Sequence, residues 1–191
     1  MEADWEVEIG DDAPVIDAAW PGRIDLQRFP DRVAQISEVR LVPVLAELLV
    51  LLNHPSASPV STSKCDVWSV DAIDPDELDA PLGSSKAAVA CYIDLLPRSD
   101  QKWSFLANAV ADSKALCARM LPISLRSCRV DLIIRRAIIA SERNDLGITA
   151  YVTACGPTSG DANYNLSSAL RALADALVPA PTVPSPDSPL Q

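Results

Sequence analysis

The order of apolar patterns predicts an α+β fold: a ferredoxin-like β-α-β-β-α-β sheet with helices on one face, extended by an extra strand and a C-terminal helix. Three observations predict it. Five segments alternate apolar and polar residues with period two, and segments with helical spacing of leucines fall between or after them. The strands also collect their polar and aromatic residues on one side only. A sheet packed on one face and bare on the other requires that pattern.

Trp5-Glu6-Val7-Glu8-Ile9 is the first strand, stopped by Gly10-Asp11-Asp12. Residues 10–35 hold Pro14, Pro21, Gly22 and Pro30 and read as a long surface excursion, with short edge pieces at Val15-Ile16 and Arg23–Leu26. Leu41, Leu45, Leu48 and Leu52 place a helix over 41–52, with Pro43 in its first turn and Asn53-His54-Pro55 as its end. Residues 64–70 form the second strand. Asp74-Pro75-Asp76-Glu77 then combines an Asp cap, a proline at the first helical position and early acidic residues, so a short helical turn belongs there.

Lys86–Leu96 is the third strand, closed by Pro97. Asp100 caps a helix running to about Met120, with Trp103, Leu106, Val110 and Cys117 on one stripe and Pro122 as its stop. Arg129–Ile139 and Ile148–Cys155 form a hairpin turned by Asn144-Asp145-Leu146-Gly147. After a loop over Gly156–Asn163, Asn163 or Asn165 caps a last helix with Leu166, Leu170, Leu173 and Leu177 in register. Residues 1–178 read as one domain, and 179–191, with five prolines, as a disordered tail.

Of the 191 residues 49% are apolar, enough for a core, and only 5% are aromatic. The net charge is −10, carried by the first half: residues 1–85 hold 17 Asp and Glu against 5 Lys and Arg. A chain of this sign repels phosphate backbones and anionic membrane surfaces, so nucleic acid and membrane are excluded as first choices. Met1 leads straight into Glu2, Asp4, Glu6 and Glu8, unlike a secretory leader. The run Leu41–Leu52 is broken by Glu47 and is shorter than a membrane span. Five scattered cysteines without a CxxC pair point to free thiols and a cytoplasmic setting.

Alternation assigns Trp5, Val7, Ile9, Cys65, Val67, Val89, Cys91, Ile93, Leu95, Val130, Leu132, Ile134, Ile148, Ala150 and Val152 to the helix side. The opposite side receives Glu6, Glu8, Asp66, Trp68, Tyr92, Asp94, Arg129, Asp131, Ile133, Arg135, Thr149, Tyr151 and Thr153. Trp68, Tyr92 and Tyr151 with Arg129 and Arg135 have the composition that interfaces enrich, so this face is the candidate binding surface. A solvated face with cross-strand ion pairs is the plainer alternative.

Catalytic constellations are weaker. Asp66, Asp94 and Asp131 sit mid-strand and would hold Mg²⁺ or Mn²⁺ if they converged. Asp71, Asp74, Asp76, Glu77 and Asp79 lack the glycine and spacing of a calcium loop, and Pro75 interrupts them. Gly156-Pro157-Thr158-Ser159-Gly160 has the position of an anion-binding loop without a lysine, and Asp161 would repel a phosphate. Ser61-Thr62-Ser63-Lys64 matches a Ser-x-x-Lys pattern but opens a strand, where that chemistry needs a helix. His54 is the single histidine, which removes His-based triads and multi-His metal sites.

These readings converge on a non-catalytic cytoplasmic protein without cofactor or metal. It would act by association, with itself as a dimer or with a partner protein, through the open sheet face. The alternatives are a divalent-metal hydrolase on the three aspartates and a small-ligand binder at the Gly156–Asn165 loop.

Overall fold

A computed structural model describes residues 1–178 except 19, 72, 82, 99–102 and 141–142; for 140, 143 and 144 it describes the backbone alone. The proposed cap at Asp100 and the tail 179–191 lie outside the described residues. Six strands form one sheet: β1 (Glu2–Glu8), β2 (Ile16–Asp17), β3 (Val60–Val70), β4 (Ala87–Pro97), β5 (Cys128–Ala140) and β6 (Arg143–Gly156). The spatial order is β1-β5-β6-β4-β3, with β2 pairing β5 beyond the end of β1. Antiparallel pairing joins β3, β4, β6 and β5 in turn, and β1 and β2 run parallel to β5.

The fold class is therefore α+β, but the strand order departs from the ferredoxin-like arrangement. Two hairpin partners, β5 and β6, are inserted together between β1 and β4, and β1 lies parallel beside β5 at the sheet's edge. Period-two patterning fixes which side of a strand is buried and is silent about its neighbours.

Four helices follow the strands: α1 (Ser37–Leu41), α2 (Val44–Asn53), α3 (Leu106–Met120) and α4 (Ser159–Leu177). The last three pack on one face, where Leu45, Leu49, Leu52, Leu166, Leu170 and Leu173 meet Ile93, Val130, Leu132, Ile134, Ile148 and Val152 in a single core cluster. Burying each of these side chains stabilises the fold by about 2 kcal/mol before entropy is counted. Trp103 is buried as expected but precedes α3, with its indole N–H donating to Asp112 at 2.9 Å.

Three element boundaries correct the sequence reading. Leu41 ends α1 and is 64% exposed, because the chain breaks at Val42 and Pro43 caps α2; Leu45, Leu48, Leu49 and Leu52 carry the buried stripe instead. Residues 144–147 do not turn the chain: they belong to β6, opposite Arg135–Ile138. Gly147 is in a strand because β2 passes over it, so that an added Cβ would stand 2.8 Å from Ile16 Cδ1 and 3.0 Å from the Leu95 carbonyl. Helix α4 begins at Ser159, with Thr158 as its cap. The expected turn at Asp74 is present as a 3-10 segment over Pro75–Leu78, where the Asp74 carboxylate accepts from the Asp76 N–H at 3.0 Å.

Two segments flank the helix-free face. At one end Ile16 and Ala18 form a small buried cluster with Leu96 and Ala137, and the Ser63 hydroxyl donates to the Asp17 carbonyl. At the other end the β3–β4 connection folds back. Leu78 is buried there, and its carbonyl accepts from the Ser127 N–H at 2.9 Å.

Candidate functional site

Register places the polar residues of the helix-free face in rows. Asp4, Asp131, Tyr151, Tyr92 and Asp66 stand opposite one another on β1, β5, β6, β4 and β3. The adjoining row is Glu2, Arg129, Thr153, Ala90 and Trp68. Ala90 and Thr153 are small, so the indole of Trp68 has room to lie toward the tyrosines of the neighbouring row.

The three aromatics meet. Ring centroids of Trp68, Tyr92 and Tyr151 are 6.2, 6.4 and 5.8 Å apart, with planes inclined at 53°, 82° and 46°. These tilted and edge contacts suit the ring quadrupoles and contribute about 1 kcal/mol per pair beyond burial. Trp68 keeps 38% of its surface exposed.

Beside them runs an ion network. The Arg135 guanidinium, 12% exposed, donates to Glu8 Oε2 at 2.6 and 2.9 Å, to the Tyr151 hydroxyl at 3.2 Å and to Thr149 Oγ1 at 3.4 Å. It also lies 5.5 Å from the Tyr151 ring centroid. Thr149 in turn donates to Asp94 Oδ1 at 2.7 Å. Arg129 grips Asp131 at 2.7 and 2.9 Å and lies 3.8 Å from Asp4. Both arginines expected as binding residues are thus already engaged as counter-ions within the face.

Burial pushes the Asp94 carboxyl above the ordinary carboxylate range, against the Thr149 hydrogen bond and the Arg135 and Lys64 charges. Burial also raises Asp131, against Arg129. The Tyr92 phenol is pushed up to about 12 by burial and by the charges of Asp94 and Asp66. A raised carboxyl means that the folded protein holds this proton more tightly than the unfolded chain. Asp94 therefore adds stability as pH falls through its raised pKa and weakens the fold at neutral pH. Asp94→Asn keeps an acceptor for Thr149 and removes the charge. The variant is expected to melt higher than wild type at pH 7, with the gap closing toward about pH 4; melting curves across that range check it.

The 3-10 turn turns this face into a groove of 800 Å³, bordered by Ile73, Asp74, Glu77 and Leu78 and floored by Trp68, Tyr151, Ile133, Arg129 and Asp131. Asp4, Glu6, Glu8, Asp74, Glu77 and Asp131 line it against only Arg129 and Arg135, so the groove is electronegative. Sequence reading placed the floor but missed this wall, because nothing local says that the β3–β4 connection folds back onto β5 and β6. The buried Leu78 at the end of an otherwise acidic turn was the available signal.

Asp66, Asp94 and Asp131 share this face without converging. Asp66 and Asp131 are in one row with β4 and β6 between them, a span of about 14 Å. Among the described residues no group of three or more His, Cys, Asp or Glu side chains is arranged to hold a metal ion. Mg²⁺ or Mn²⁺ is therefore expected to leave the melting temperature unchanged, and a rise that Asp94→Asn abolishes would overturn this.

The Gly156–Gly160 segment is likewise not an open anion loop. Thr158 and Asp161 form a reciprocal capping box, with Asp161 accepting from Thr158 N–H at 3.1 Å, so the first turn of α4 is occupied by its own carboxylate. Burial raises Cys65 to about 12 and Cys117 and Cys128 to about 11, which leaves these thiols protonated and poor nucleophiles. Cys91 and Cys155 are also raised by burial. No described helix is long and apolar enough to cross a membrane.

No family model, curated protein or solved structure matches the chain.

Proposed function

We propose that this protein is a non-catalytic, cytoplasmic association domain that docks a partner protein through the groove on the helix-free side of its sheet. The observation that carries this reading is the joined Trp68–Tyr92–Tyr151 cluster at the centre of an uncovered face. Aromatic anchors flanked by a charged rim are the usual anatomy of a docking surface.

The sign of the rim favours a partner over a second copy. A two-fold dimer through this face would set the carboxylates of Asp4, Glu6, Asp66 and Glu77 against their own kind, and like charges across an interface cost several kcal/mol. A basic segment meets complementary charge. Five unpaired cysteines suit a reducing compartment.

Static light scattering at tens of micromolar, followed by titration with polylysine and polyglutamate of matched length, tests this. A monomer that binds polylysine but not polyglutamate, and loses binding in Trp68→Ala/Tyr92→Ala, is the expected result. A wild-type dimer split by those changes would replace the partner with a second copy. Absence of binding to either polymer would remove the reading.

A further inference from the structure

The partner's recognition element can be specified further, on the premise that the groove docks a basic segment. We propose that the Trp68–Tyr92–Tyr151 cluster is an ammonium seat, taking a single lysine side chain, unmodified or N-methylated, from that segment. Three features of the helix-free face point to this chemistry.

Geometry comes first. The centroids make a nearly equilateral triangle with sides of 5.8, 6.2 and 6.4 Å. A cation about 4 Å above its centre lies within the roughly 6 Å over which aromatic faces attract positive charge. The 46° to 82° inclinations leave no pair of parallel rings to sandwich a flat guanidinium, whereas a compact ammonium presents the same charge in every direction.

Occupancy comes second. One cation already uses this cluster: Arg135 lies over Tyr151, fixed there by Glu8. The most exposed of the three rings is Trp68, the aromatic type that binds cations best, while Tyr92 and Tyr151 are half-buried.

The third feature is the surrounding charge. Asp66 stands beside Tyr92 on the next strand and Glu77 looks over from the wall, whereas Asp131 beside Tyr151 is neutralised by Arg129. The Tyr92 phenol is raised mainly by burial, and the negative charges of Asp94 and Asp66 add to the rise. A neutral or anionic side chain would meet that field without gain.

The experiment uses the full chain and a short peptide with one central lysine in a glycine–serine background that also carries flanking arginines. Matched peptides carry norleucine, acetyl-lysine or trimethyl-lysine at the central position. Trp68→Ala and Trp68→Phe are compared with wild type, each first shown to melt cooperatively.

Lysine and trimethyl-lysine peptides are expected to bind wild type, and norleucine and acetyl-lysine about tenfold more weakly. Trp68→Ala should abolish that difference and Trp68→Phe should keep part of it. Tetramethylammonium should shift the Trp68 indole resonance in wild type, a readout independent of any variant's stability. If all four peptides bind equally and Trp68→Ala changes nothing, the seat is refuted while docking through the charged rim stands. If none binds and polylysine also fails, the seat and the docking reading fall together.

Discussion

Replacing Arg135 by alanine is expected to destabilise the protein by about 3 kcal/mol, a fall in melting temperature of roughly 10 °C. The guanidinium ties β1 to β6 through Glu8, Tyr151 and Thr149, and its charge offsets the buried carboxylate of Asp94, which is only 6% exposed. Without it, Asp94 keeps its Thr149 hydrogen bond but loses its nearest compensating charge, and an uncompensated buried charge is among the most costly defects a fold can hold. The loss should be partly recovered in Arg135→Ala/Asp94→Asn. A double-mutant cycle then gives a coupling of the sign that makes the pair less damaging than the sum of the singles. Additive singles would show that Arg135 acts through its bonds to Glu8, Tyr151 and Thr149 and not through the charge of Asp94.

Gly156→Ala is expected to be comparably damaging, about 3 kcal/mol by thermal or urea unfolding. A Cβ at this position would lie 2.6 Å from both the Ala162 backbone nitrogen and Asp161 Cβ, closer than non-bonded atoms tolerate. The obstacle is mostly main chain, so no side-chain rotation relieves it. Helix α4 must move away from the end of β6. That movement would break the Asn165 hydrogen bond to the Cys155 carbonyl and disturb the capping box at Thr158 and Asp161. Since α4 carries Leu166, Leu170 and Leu173 into the core, the variant tests how rigidly the last helix is placed.

The faces of the sheet were legible because alternation holds through the middle of each long strand, although β3 shifts register against β4 between Thr62 and Cys65. Trp68, Tyr92, Tyr151 and the three aspartates all stand on the side that alternation assigned to them. What alternation could not encode is adjacency. Asp66, Asp94 and Asp131 look equivalent along the chain, and only the placing of β6 and β4 between β5 and β3 keeps Asp131 away from Asp66. Gly147 was misread for a related reason. Glycine marks both turns and close backbone approach, and the approaching Ile16 lies 131 positions earlier. The start of α4 carried a usable local signal that was passed over: Thr158 followed three residues later by an acidic Asp161 is a capping box, a stronger cap than the asparagines further on.

The edge position of β1 has a consequence for how the molecule is made. Its first residue, Glu2, pairs with Arg129, so β1 has no mate in the sheet until the distant β5 is in place. Sheet contacts so distant in sequence form slowly. Until β5 arrives, Trp5 and Val7 have only the acidic residues between them to discourage pairing with a neighbouring nascent chain. Charge along an unpaired strand opposes edge-to-edge association, and Glu2, Asp4, Glu6 and Glu8 supply it on β1.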